Sequence, residues 1–215
     1  MSMPYPFRPL MRSASLLIAA ALAGCTGLPK VAPAYAVHDF GAPEPVAARG
    51  PGVPLRGVEV VAAPWLASTA MQYRLAYVQP TRRQAYVESR WAAQPAQLVE
   101  LTLKRAVRTG EAGTTGACRL RVELDEFAQV FDDATVSRGV VEARASLLAP
   151  RSDQIIASRG FSLARPAPSA DALGGVSALR ASVQDLGSEL FGWLDGLDRE
   201  GAARTGGSLR SRCGA

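Results

Sequence analysis

Apolar residues recur at every second position through most of the middle of this chain, with one helical interruption, and at every third or fourth position near its end. Period two is the signature of a strand with one buried face, and a spacing of three and four is that of a helix with one buried stripe. Tyr35–Phe40 has β-type composition and predicts an edge strand, on which His38 is a solvated strand-face residue. Gly57–Ala63 is an apolar run of strand length ended by Pro64; Trp65-Leu66 follows at the bend, and Ala67–Ala70 has the length of one helical turn. Met71, Tyr73, Leu75 and Tyr77 then share a face, Gln79–Arg82 is turn material, and Gln84–Ser89 returns, which predicts a hairpin. Trp91 closes that hairpin. Pro95 opens a helix running to Gly110, with either Leu98, Leu101 and Arg105 or Val99, Leu103 and Val107 as its buried stripe.

A three-strand meander comes next. Cys118, Leu120, Val122 and Leu124 are apolar at even positions, whereas Phe127 and Phe131 are odd. A period-two pattern changes phase only through an extra residue, so a β-bulge is expected near Asp125–Glu126. After a turn at Asp132-Asp133, Val141, Ala143, Ala145 and Leu147 point inward on the second strand, and Ile155, Ala157, Phe161 and Leu163 supply the third. Ser169 is placed to cap a final helix, with Asp171 near its positive end. Leu173, Val176, Leu179, Val183, Leu186, Leu190, Trp193 and Leu197 form its stripe. The fold class is α+β: a single domain with a mostly antiparallel or mixed sheet of about six strands and two main helices packed on it. Residues 35–198 make up this domain, with 41–54 as a Pro/Gly-rich loop, and the Gly-, Ser- and Arg-rich segment 199–215 is expected to be a disordered tail.

Composition narrows the chemistry. The formal net charge is +5, but only Lys30 and Lys104 are lysines and asparagine is absent, so the basic balance follows from an arginine-rich composition. The arginines are scattered among acids rather than clustered with aromatics, which argues against nucleic acid as a partner. No Gly-x-Ser-x-Gly elbow, Walker loop or Gly-x-Gly-x-x-Gly fingerprint occurs. A Ser-His-Asp arrangement would rest on His38 alone, and the acid pairs Asp125-Glu126 and Asp132-Asp133 read as solvated charge. The expectation is a protein that is not an enzyme, with no cofactor and no metal site.

The N-terminal pattern is of another kind. Arg8 and Arg12 precede the apolar run Leu16–Ala23, which leads into Leu22-Ala23-Gly24-Cys25. This is the layout of a secretory signal. Its last four residues resemble a bacterial lipobox, in which the cysteine is lipidated and becomes the first residue of the mature chain. Residues 1–24 are therefore read as a lipoprotein signal peptide and 25–34 as a tether, leaving 191 residues with net charge +3, since the signal carries two arginines and no acid. With Cys25 acylated, Cys118 and Cys213 are the remaining thiols in an oxidising compartment. They form either a disulfide pinning the C-terminus or two unpaired cysteines, and spacing alone does not decide between these.

The stretch from Tyr73-Arg-Leu-Ala-Tyr77 through Tyr86-Val-Glu-Ser-Arg-Trp-Ala-Ala-Gln-Pro-Ala-Gln-Leu98 resembles the ABC-type transport auxiliary lipoprotein family, which includes the paraquat-inducible protein C type. Arg90-Trp91-Ala92 with Pro95 is its most specific part, and the likeness covers about residues 35–197. The resemblance implies a non-catalytic envelope lipoprotein that works with an Mce-type (MlaD-like) substrate-binding protein, an ABC permease and an ATPase to move lipids between membranes. It also implies attachment to the outer membrane through Cys25, because Thr26 rather than aspartate follows the cysteine, and it allows a homo-oligomer. Trp65, Tyr86 and Trp91 at the hairpin end are candidate partner-binding anchors, since Trp and Tyr dominate interaction hot spots, with half-buried corner packing as the other reading of each. The alternative reading is an outer-membrane assembly lipoprotein of the lipopolysaccharide-transport plug type, or a structural envelope module.

Overall fold

The computed structural model describes residues 34–42, 52–109, 118–205 and 208–213. The signal peptide, Cys25, nearly all of the tether, most of the Pro/Gly-rich loop and the glycine-rich turn after the first helix lie outside them. From Tyr35 onward the chain is one compact unit. Its strands are β1 (Ala36–His38), β2 (Leu55–Ala62), β3 (Ala70–Leu75), β4 (Gln84–Trp91), β5 (Cys118–Phe131), β6 (Ser137–Leu148) and β7 (Ile155–Pro166). Its helices are α1 (Pro95–Thr109), α2 (Ala172–Thr205) and the short α3 (Leu209–Arg212). The seven strands form one mixed sheet in the order β1-β4-β3-β5-β6-β7, with β2 also paired to β5.

The long strand β5 is the axis of the sheet. On one side it runs antiparallel to β6, which pairs in turn with β7, and this is the meander legible in the sequence. On its other side β5 has two successive parallel neighbours. β2 pairs from Leu55↔Cys118 to Ala62↔Leu124, and β3 pairs from Tyr73↔Gln129 to Leu75↔Phe131. Pro64, which cannot donate to a ladder, breaks the chain between them in a short 3-10 turn, Pro64–Leu66. The helical turn expected at Ala67–Ala70 is not formed: the 3-10 turn comes before it, residues 67–69 are irregular, and Ala70 already belongs to β3. The register of β5 against β6 shifts between Leu124 and Glu126, which is the bulge required by the phase change.

Both helices cover one face of the sheet. Val99 and Leu103 of α1 are buried while Leu101 is exposed, so the second of the two possible stripes faces the core, joined by Ala96 and Leu98. On α2, Leu179, Val183, Leu186, Leu190 and Leu194 are buried. Leu173 is 64% exposed, because it lies on the side of the helix away from Gly175 and Leu179, which face the sheet. Asp171, rather than Ser169, caps this helix: its Oδ1 accepts the Gly174 N–H at 2.8 Å and the Ser169 hydroxyl at 2.8 Å. These bonds hold the Asp171 carboxyl below the ordinary aspartate range, with the Gly174 N–H as the main cause. In β7 the inward residues are Phe161 and Leu163, but Ile155 is 59% exposed, since the register slips between Leu147 and Leu148 and turns it outward.

Two glycines set how closely α2 lies on the sheet. A Cβ on Gly139 of β6 would stand 2.5 Å from the Leu179 backbone nitrogen, and one on Gly175 would stand 2.1 Å from Oε1 of Gln129. The Ser182 hydroxyl donates to the Gly139 carbonyl at 2.8 Å across the same contact. Because the obstacle at Gly139 is helix backbone, Gly139→Ala should force α2 off the sheet. We expect it to cost about 3 kcal/mol, at the upper end of overpacking effects, read as a lower urea midpoint at unchanged slope.

The C-terminus departs from expectation. The helix α2 continues to Thr205, Leu209 of α3 is buried in the core, and Cys213 is buried and joined to Cys118 by a disulfide. The described part of segment 199–215 is thus folded against the domain, since the disulfide and the Leu209 side chain together tie it down. Polar composition alone pointed the other way.

Candidate functional site

The bulge on β5 and the 3-10 turn between β2 and β3 meet at one place, and Trp65 sits there. The bulge takes the Asp125 carbonyl out of the ladder, and the Trp65 indole Nε1–H donates to it at 3.3 Å. The Trp65 carbonyl accepts the Gln72 Nε2–H at 2.7 Å. The guanidinium of Arg83 lies 5.7 Å from the indole centroid, within cation–π range. Held on three sides, Trp65 still leaves 54% of its surface in solvent.

The bulge also re-aims Glu126. Its carboxylate receives both terminal nitrogens of Arg83 at 2.7 Å, a bidentate pair, and Nη2 of Arg74 at 3.1 Å. Arg83 in turn donates to Oε1 of Gln72 at 2.9 Å, and Arg74 donates to the Pro80 and Thr81 carbonyls of the hairpin turn. One carboxylate serves two guanidinium groups, so the cluster keeps an excess positive charge beside an exposed indole. An aromatic ring fixed before any partner arrives loses little rotamer entropy on binding. This arrangement suits protein recognition, and Glu126, Arg83 and Arg74 were missed as members of it. The phase change that predicted the bulge was the available signal.

The other two predicted anchors are placed differently. Trp91 is only 2% exposed and packs edge-on against Phe40 and Phe127, with centroids 5.8 and 5.5 Å away. It is a core residue, because β4 extends to Trp91 and its ring is enclosed by Phe40 and Phe127 rather than left at an open corner. Tyr86 is half-buried: its hydroxyl donates to Oε1 of Gln129 at 2.8 Å, and Nε2 of Gln129 donates to Ser137 at 2.8 Å. Burial, then the neighbouring Tyr73 and Asp171, raises the Tyr86 pKa well above the ordinary phenol value, so the hydroxyl stays a donor at any physiological pH. Of the three anchors only Trp65 is presented to solvent. His38 also differs from expectation: its ring is half-buried, and its Nε2 is enclosed without a hydrogen-bond partner, since β1 lies parallel against β4 and sets His38 opposite Trp91.

Both acids of the Asp132-Asp133 pair are engaged locally. Asp133 closes the β5–β6 turn, accepting the Thr135 and Val136 N–H groups, and Asp132 pairs with Arg138. Among the described residues no group of three or more His, Cys, Asp or Glu converges as a metal site would require. No helix of the described residues is long and apolar enough to cross a membrane.

No family model matches the chain, and no curated protein sequence matches it. Solved structures do. Protein XCC0632 from Xanthomonas campestris, described as DUF330, superposes with a TM-score of 0.61 at 20% identity, over 73% of this chain and 94% of that one. A second, described only as an uncharacterized protein, superposes with a TM-score of 0.56 at 14% identity, over 75% of this chain and 99% of that one. At these identities the likeness shows the fold: the chain shares its α+β architecture with solved proteins that include one described as DUF330.

Proposed function

We propose that this chain is a lipid-anchored envelope protein, and within that class a non-catalytic docking subunit of an ABC/Mce-type intermembrane lipid transport system held at the outer membrane. The observation that carries the reading is Leu22-Ala23-Gly24-Cys25 behind a short apolar run, a motif whose use is covalent attachment to lipid. The Cys118–Cys213 disulfide supports it, because such bonds persist in exported proteins. The fold shared with a DUF330 protein is compatible with the family resemblance of residues 35–197. Acyl chains on Cys25 hold the domain at the membrane, each buried methylene contributing about 0.8 kcal/mol. The fixed indole of Trp65 with its arginine surround is then the surface offered to an Mce-type partner. The nucleotide chemistry resides in another subunit.

Cys25→Ala tests the anchor. The variant should lose incorporation of labelled palmitate, move from the membrane pellet to the soluble periplasmic fraction, and keep the wild-type unfolding midpoint. It should also fail to restore detergent resistance to a strain lacking the gene. Full restoration by a soluble, unacylated protein would show that anchoring is not part of the role.

A further inference from the structure

At the end of the sheet opposite the β3–β4 turn, a cleft of about 480 Å³ opens over the start of β2 and β5. Three arginines line it, Arg56, Arg119 and Arg151, against one carboxylate, Glu59. Two of the three are delivered by departures from regular backbone. The β2–β5 register advances two residues on β2 for one on β5 between Leu55 and Gly57, so Arg56 is the extra residue of a bulge and leaves the ladder. Bulges of this kind re-aim side chains next to sites. Arg151, in the β6–β7 turn, has φ 59°, the one left-handed non-glycine residue among those described. A bulky side chain in that region costs free energy, and such outliers persist where the surroundings impose them. That two irregularities, a strand bulge and a turn, bring arginines to line one cleft is the observation that carries the inference.

The charges there are unequally compensated. Arg119 donates to Asp153 and to the Ser152 carbonyl. Arg56 and Arg151 make no ion pair among the described residues. Gly57, aligned with Arg119, also lines the cleft, and a Cβ there would meet nothing within 4 Å, so at this point the backbone is open to a ligand. Next to it the Cys118–Cys213 disulfide fixes the first residue of β5, so the arginine-bearing ends are held in place rather than fraying.

We propose that this cleft binds a phosphate group, with Arg56 and Arg151 as its main ligands and Arg119 as a shared one. A single carboxylate is satisfied by one planar guanidinium fork, as Asp153 is by Arg119. Two uncompensated forks converging with a third suit a tetrahedral anion that has more oxygens to offer. The volume exceeds that of phosphate alone and admits a substituent of glycerol size; it falls in the ordinary range for small-ligand sites. A phospholipid headgroup and a soluble phosphoester share this chemistry. The inference stands on the strands alone and does not depend on Cys25 or on any transport partner.

The test is calorimetric titration of the purified protein, acylated or not, in neutral detergent with three probes: inorganic phosphate, sn-glycerol 3-phosphate and dihexanoyl phosphatidylglycerol. The wild type should bind at least one of them, and binding should weaken as salt is raised. An Arg56→Gln, Arg151→Gln double variant should bind at least about tenfold more weakly at an unchanged unfolding midpoint, since both residues are exposed. Arg82→Gln, in the distant β3–β4 turn, should bind as the wild type does. Preference for the lipid probe assigns the headgroup as the source, and preference for either soluble probe assigns a free phosphate compound. Absence of binding to all three probes, or equal weakening in Arg82→Gln, overturns the proposal.

Discussion

Trp91→Ala should lower the unfolding free energy by about 3–5 kcal/mol, the range for emptying a fully buried aromatic site. For a domain of this size each kcal/mol moves the melting temperature by roughly 2–4 °C, so a drop of about 6–20 °C is expected. The indole is 2% exposed and meets Phe40 on one side and Phe127 on the other. Each aromatic pair adds about 0.5–1.5 kcal/mol beyond area burial, so the loss exceeds that of an aliphatic residue of equal exposure. It also falls where elements join, because His38 of β1 pairs with Trp91 and α1 begins four residues later at Pro95. Trp91→Phe keeps part of the packing and should lose roughly half as much. Trp65→Ala is the contrast: its side chain is mostly in solvent, so the midpoint should stay within about 2 °C while partner capture falls. If Trp91→Ala leaves the melting temperature unchanged and abolishes partner capture, the assignment of Trp91 to the core is wrong.

The fate of the tryptophans shows where sequence reading runs short. Alternation over Cys118–Leu124 and Val141–Leu147 specifies which side chains face the core, because period two allows a single inward face where one side is covered. The bulge followed from the same rule, as the apolar phase of Leu120, Val122 and Leu124 cannot otherwise become that of Phe127 and Phe131. The parallel pairing of β2 and β3 with β5 was not legible, since alternation fixes faces and not neighbours. That pairing, with the break at Pro64, decides that Trp65 lies over the bulge in solvent while Trp91 is enclosed between Phe40 and Phe127. Both are tryptophans next to strand ends, and nothing local separates them. The ion cluster on Glu126 depends on the same topology, joining β3, the β3–β4 turn and β5 across sequence gaps of 52 and 43 residues. At the arginine cleft the bulge is carried by Arg56 in a run whose apolar pattern does not register it.

The C-terminal segment carries the second large effect. Replacing both Cys118 and Cys213 by serine should lower stability by about 2–5 kcal/mol. The bond closes a loop across a sequence separation of 95 residues, and freeing a loop of that length restores roughly 4–5 kcal/mol of chain entropy to the unfolded state. What the bond holds in the folded state is slight by itself. The helix α3 spans four residues, Leu209–Arg212, far below the length at which a helix persists in water. Its local support is a cap in which the Ser208 hydroxyl accepts the Ser211 N–H at 3.2 Å. Without the bond, Leu209 is the main remaining apolar tie between α3 and the core, and its burial contributes about 1.5–3 kcal/mol against the entropy of ordering that turn. The segment after Thr205 should therefore detach before the sheet unfolds, visible as rapid amide exchange in residues 208–213 at native protection of β5. Urea unfolding supplies the control. Adding reductant should bring the wild type down to the midpoint of the double serine variant and leave that variant unmoved. Equal midpoints for the oxidised wild type and the variant would mean that the bond decorates a tail already secured by packing.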